Sequence, residues 1–184
     1  NNATTTCSKS AELVVTNNFV EAEAGDNQEV CGGTVTLNAV VETGSLGTGK
    51  WTITETGASA IINNDTQSST KVTSLDDGET EFIWTVTEGN CSVWDNVFVT
   101  NNQIIDVDAG VNQSVCNNSA TLEASNPPIG ASGVWSTTVE DVIIQNTNSR
   151  VSEVTNLKSG TNVFTWTVSL GKCEVSDDVH ITNN

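Results

Sequence analysis

The chain has 184 residues, and its 23 acidic side chains against six basic ones give a formal net charge of −17. That balance excludes nucleic acid and anionic membrane as partners, because both need clustered Lys and Arg. No apolar run approaches the ~20 residues of a membrane span, so no membrane insertion is expected.

Thr, Val, Asn and Ser dominate, and helix formers never recur at helical spacing over a long window. This is an all-β composition. The chain opens without Met or a signal peptide, so it is expected to be a segment or processed form of a longer exported protein.

In chain order, residues 1–18 contain Cys7–Asn18, CSKSAELVVTNN, which repeats the second half of a stretch found twice more downstream. The reading is the last strand of a preceding repeat. Residues 19–102 form the first whole repeat. Its opening, Val20 to Gly25, leads into Asn27-Gln28-Glu29-Val30-Cys31. Thr34–Val41 alternates Val35, Leu37 and Ala39 inward as a strand. A glycine-rich loop, Gly44–Gly49, precedes the strand Lys50–Ile53. Ala58–Asn63 and Lys71–Leu75 are further strand candidates, and Asp76-Asp77-Gly78 is a turn signal.

Phe82–Asn102, FIWTVTEGNCSVWDNVFVTNN, then closes the repeat as a hairpin. Phe82, Trp84 and Val86 share one face, as do Val93, Asp95, Val97 and Val99 on the returning strand. Residues 103–184 follow the same order and end on Phe164–Asn184, FTWTVSLGKCEVSDDVHITNN. Trp135 and Trp166 match Trp51 and Trp84 as core residues. Pro127-Pro128 replaces the glycine loop. A period of about 82 residues makes the chain an array. Short strands punctuated by turns read as a β-sandwich in each repeat.

The shared pattern, AGxNQxVC, TLxA, W, L, G, FxWTVxxGxC and TNN in that order, resembles the PKD-like and Ig-like repeats of large secreted Bacteroidetes surface proteins. Gliding-motility-associated adhesins are among them. It covers residues 19–184. The resemblance implies two tandem Ig-like/PKD-like β-sandwich domains that act as spacers between an anchor and a binding tip, at the extracellular face of a bacterial cell. Val111 stands where Asp26 stands in the first repeat, a departure from the family pattern.

Five cysteines in such an array point to disulfides. Two pairings respect the repeat. One joins Cys31 to Cys91 and Cys116 to Cys173, within units. The other joins Cys7 to Cys31 and Cys91 to Cys116, across the boundaries. The first agrees with the unit boundaries and with the resemblance.

Three site chemistries are candidates. Calcium would use carboxylates that recur at the unit boundary: Glu21 and Glu23, Asp106 and Asp108 at the equivalent places, and Asp95, Asp177 and Asp178 in the last strands. No other cofactor is implied. Carbohydrate would use Trp94 and Phe98, which fall on the outer face of their strand and are Ser176 and His180 in the second repeat. Such flat aromatics stack on the sugars of a polysaccharide or surface glycan. Catalysis finds no support: the single histidine, His180, is not placed beside a nucleophile in both repeats, and no phosphate-cradling loop precedes a helix. No enzyme is expected, and the resemblance implies a stalk. Its partners are its neighbouring repeats, and its alternative role is a carbohydrate-binding module.

Overall fold

The computed structural model describes residues 9–13, 20–40, 47–55 and 58–184. The N-terminal strand copy and the start of the glycine loop lie largely outside these residues. No helix among the described residues is long and apolar enough to cross a membrane.

Fourteen strands are described, seven in each of two sandwich-like units. Unit one holds β1 (Gln28–Val30), β2 (Thr34–Asn38), β3 (Thr48–Ile53), β4 (Ile61–Ile62), β5 (Ser69–Thr73), β6 (Gly78–Glu88) and β7 (Cys91–Asn101). Unit two holds β8 (Gln113–Val115), β9 (Ser119–Glu123), β10 (Ser132–Thr137), β11 (Ile143–Ile144), β12 (Val151–Thr155), β13 (Gly160–Leu170) and β14 (Cys173–Asn183). Each unit packs a four-stranded sheet, β1-β7-β6-β3 or β8-β14-β13-β10, against a three-stranded one, β2-β5-β4 or β9-β12-β11. The all-β reading and the two-sandwich architecture hold.

The period-2 alternation builds the cores. Phe82, Trp84 and Val86 on β6 point inward with Val97 and Val99 on β7, and all are buried. Leu37 and Val72 close the core from the facing sheet. Trp51 on β3 lies beside Trp84, ring centroids 5.0 Å apart and planes tilted by 46°. Trp135 and Trp166 repeat that pair at 5.0 Å and 45°. Tilted and offset contacts are the favoured geometry for aromatic faces.

A glycine makes room for each pair. A Cβ on Gly49 would run into the six-membered ring of Trp84, and one on Gly133 into that of Trp166. The outer indole of each pair is anchored by its N–H: Trp51 Nε1 donates to the Ser68 carbonyl at 3.2 Å, and Trp135 Nε1 to the Arg150 carbonyl at 3.3 Å. The N–H groups of Trp84 and Trp166 are buried without an acceptor.

One pairing sets the polarity of each unit. β1 runs parallel to β7, with Val30 opposite Asn101, and β8 runs parallel to β14, with Val115 opposite Asn183. The turn after β1, which carries Cys31, therefore lies at the end of the unit where β7 finishes. Cys91, which starts β7, lies at the other end, ten residues back along the strand.

Candidate functional site: the junction between the units

The parallel pairing decides the disulfides. Ten strand residues span roughly 33 Å, whereas a disulfide needs Cα atoms within about 7 Å. Cys31 and Cys91 are thus held too far apart to bond, and so are Cys116 and Cys173. The structure joins Cys31 to Cys173 instead, across 142 residues, with an S–S distance of 2.09 Å. This corrects both expected pairings: Cys91 and Cys116 are free and exposed, and Cys31 bonds neither Cys91 nor Cys7.

The bond sits in a shaped contact. The tip of the β13–β14 hairpin, Gly171-Lys172, meets the end of β1. Glu29 Oε1 accepts from the backbone N–H of Lys172 at 2.7 Å and from Asn102 Nδ2 at 2.6 Å. These two donors, the backbone one foremost, hold the Glu29 carboxyl below its usual value of 4.5. Asn102 is fixed in turn by its own N–H, which donates to the Val30 carbonyl at 2.8 Å. Gly171 has φ 56°, and a Cβ there would run into the Glu29 carboxylate and the Asn102 amide. The position therefore needs glycine both for its backbone conformation and for the closeness of the approach. Cys173 is buried here.

The other candidate residues are placed as follows. Asp95 Oδ2 accepts from the Ala24 N–H at 2.8 Å, and Asp177 Oδ2 from the Ala109 N–H at 2.8 Å. In both units a carboxylate at the equivalent position of the last strand thus pins the segment that leads into the first strand. Asp108 Oδ1 accepts from the Gly110 N–H at 2.7 Å, and Asp178 Oδ1 from Thr165 Oγ1 at 2.6 Å. Glu23 bridges Val40 through its backbone. Glu21 and Asp106 are exposed. Among the described residues no three His, Cys, Asp or Glu side chains come together as a metal site.

Trp94 is 66% exposed on the outer face of the four-stranded sheet, level with Thr85 on β6 and Lys50 on β3. Phe98 shares that face and is half-buried, its N–H donating to Asn27 Oδ1 at 2.9 Å. The two aromatics do share a face.

Sequence reasoning missed Glu29, Asn102 and Gly171 as a contact set. A signal was present: in both repeats a cysteine directly follows the short first strand, and another opens the last strand. Only the topology shows that these lie at opposite ends of a unit.

Neither a protein-family model nor a curated protein sequence matches the chain. Solved structures do. The insect immune protein hemolin, described with implications for homophilic adhesion, superimposes over 88% of this chain and 46% of its own, with 11% identity and a TM-score of 0.52. Extracellular domains 3–5 of Drosophila OTK match over 88% of this chain and 59% of theirs, with 8% identity and a TM-score of 0.50. The chain thus spans about half the length of these structures. The likeness shows the fold: the units are Ig-like.

Proposed function

We propose that the chain is a tension-carrying segment of an extracellular repeat array, a stalk that holds an adhesive region away from a bacterial surface. The observation that carries this reading is the Cys31–Cys173 bond. Tension applied at the two ends runs along β1 to Cys31, crosses to Cys173 and leaves along β14. The 141 residues between the two cysteines hang beside that line. A disulfide also suits an oxidising compartment such as a cell exterior. The stalk belongs to a surface protein of the adhesion or gliding-motility type that the repeat pattern resembles. No catalytic step is assigned to it.

The experiment is single-molecule pulling from the two termini, oxidised and reduced. The enclosed segment spans roughly 500 Å when extended. Reduction is expected to add that contour length, and the oxidised chain to lengthen only by the short segments outside the bridge. Equal unfolding lengths in the two states would sink the reading.

A second reading has its own observation. Trp94 stands exposed on a flat face among Thr85, Lys50 and Asn96, where a sugar ring could stack on it. Binding to a polysaccharide panel that Trp94→Ala abolishes would make the chain a carbohydrate-binding module. Absence of binding in both proteins would leave the stalk.

A further inference from the structure

The junction surface occurs twice more on this chain, each time as half of a pair. At the outer end of unit two, Val115 lies opposite Asn183 as Val30 lies opposite Asn101. The Asn184 N–H donates to the Val115 carbonyl at 2.9 Å, as the Asn102 N–H does to the Val30 carbonyl at 2.8 Å. Asn184 Nδ2 donates to Ser114 Oγ at 2.9 Å, in the place where Asn102 Nδ2 donates to Glu29. Cys116 follows, as Cys31 does. At the outer end of unit one, Gly89 has φ 60° against 56° for Gly171. Cys91 faces Glu88 across the hairpin as Cys173 faces Leu170. Where the two halves meet inside the chain they are bonded. Where each stands alone its thiol is free and exposed.

We infer that Cys91 and Cys116 are the unclosed halves of the same inter-unit disulfide, and that their partner is another unit of this kind docked head to tail. Cys91 takes the cysteine that follows the first strand of the unit before it. Cys116 takes the hairpin cysteine of the unit after it. The array is then cross-linked once per junction, always from the turn of one unit to the hairpin of the next. Such a contact is heterologous, the turn of one unit against the hairpin of the next, and so can recur along the array.

The oxidant is a low-molecular-weight disulfide. The Cys116 thiolate attacks one of its sulfurs and expels a small thiolate. The Cys91 thiolate of a second copy then attacks the Cys116 sulfur of the mixed disulfide and expels the second. Two protein thiols lose two protons and two electrons, and the small disulfide takes up both and leaves as two thiols. In the new contact the backbone N–H of Asn90 faces Ser114, as that of Lys172 faces Glu29. Ser114 offers a shorter, neutral acceptor.

This inference rests on the reading of the chain as a repeat segment, but its test is separate from pulling. Two full-length variants are made in a Cys7→Ser background. Cys91→Ser retains the Cys116 thiol, and Cys116→Ser retains Cys91. Each is incubated alone and in mixture with oxidised and reduced glutathione, with added salt to screen the mutual repulsion of two −17 chains. The expected result is a disulfide-linked dimer in the mixture alone, mapping to a Cys91–Cys116 peptide. Adding Ser114→Glu to the Cys91→Ser variant supplies the charged acceptor and is expected to raise dimer yield roughly tenfold, the worth of one charge-assisted hydrogen bond. No dimer, a statistical mixture with both homodimers, or a yield lowered by Ser114→Glu overturns the inference. Failure here leaves the pulling result of the oxidised chain untouched, so failure of the inference is distinguishable from failure of the stalk reading.

Discussion

Glu29 and Lys172, 143 positions apart in the chain, meet through a carboxylate oxygen and a backbone N–H at 2.7 Å. Neither belongs to a hydrophobic core cluster. Their contact fixes where the hairpin of unit two rests on unit one and brings Cys173 against Cys31. A lowered carboxyl pKa means the charged form is the one the fold stabilises. The contribution is therefore present above the ordinary value of 4.5 and lost as pH falls through the lowered folded value. In a Cys31→Ser, Cys173→Ser chain, where no covalent bond masks it, the Lys172 amide signal should change over that acid window. Glu29→Gln should flatten the change. An unchanged profile in the variant would assign the titration elsewhere.

The paired tryptophans predict a sharp size limit at Gly133. Ala there places a methyl where the Trp166 ring already lies, and overpacking of this kind costs about 1–3 kcal/mol or more. Denaturant melts of Gly133→Ala should show unit two weakened and unit one unaffected, with Gly49→Ala giving the converse.

The two tryptophans of a pair should not respond alike to loss of the indole N–H. Trp135 donates to the Arg150 carbonyl, whereas Trp166 donates to no acceptor. Both lose ring area on change to Phe. Trp135→Phe also strips a partner from a carbonyl, so it should be the more destabilising by about 1 kcal/mol. Equal losses would mean the Trp135 hydrogen bond contributes nothing net.

Asp95 and Asp177 carry a matched prediction. Each accepts a backbone N–H from the segment before the first strand. Ala at either position leaves that N–H unpaired and should cost about 1–3 kcal/mol, read as a lower Tm for the unit concerned. Trp94→Ala, by contrast, should shift stability by no more than about 0.5 kcal/mol, because the indole is exposed.

The repeat, the strands around Trp51 and Trp84 and the closing hairpin were legible because period-2 alternation and turn residues are local signals. So was the outward placement of Trp94. The disulfide was not legible, for a definite reason. Cys31 and Cys91 belong to one repeat, and repeat symmetry makes them look like partners. The parallel pairing of a three-residue strand, Gln28–Val30, with the far end of an eleven-residue one is a non-local fact with almost no pattern of its own. Once it is known, the spacing from Cys91 to Asn101 rules out the bond. Acidity recurs at one pair of equivalent positions in the last strands, and there Asp95 and Asp177 each pin a backbone N–H, a partner that sequence alone does not show.

The bridge from Cys31 to Cys173 also turns most of the chain into a covalent ring with two tails. Exposed loop tips are where proteases cut, and Ile129, beside Pro127-Pro128, is fully exposed in such a loop. In an open chain a cut there would sever the N-terminal half from the C-terminal half. Here a single cut anywhere between the two cysteines only opens the ring, and the N-terminal tail stays bonded to the C-terminal one. A stalk built this way survives a first nick in either unit with its two ends still one molecule.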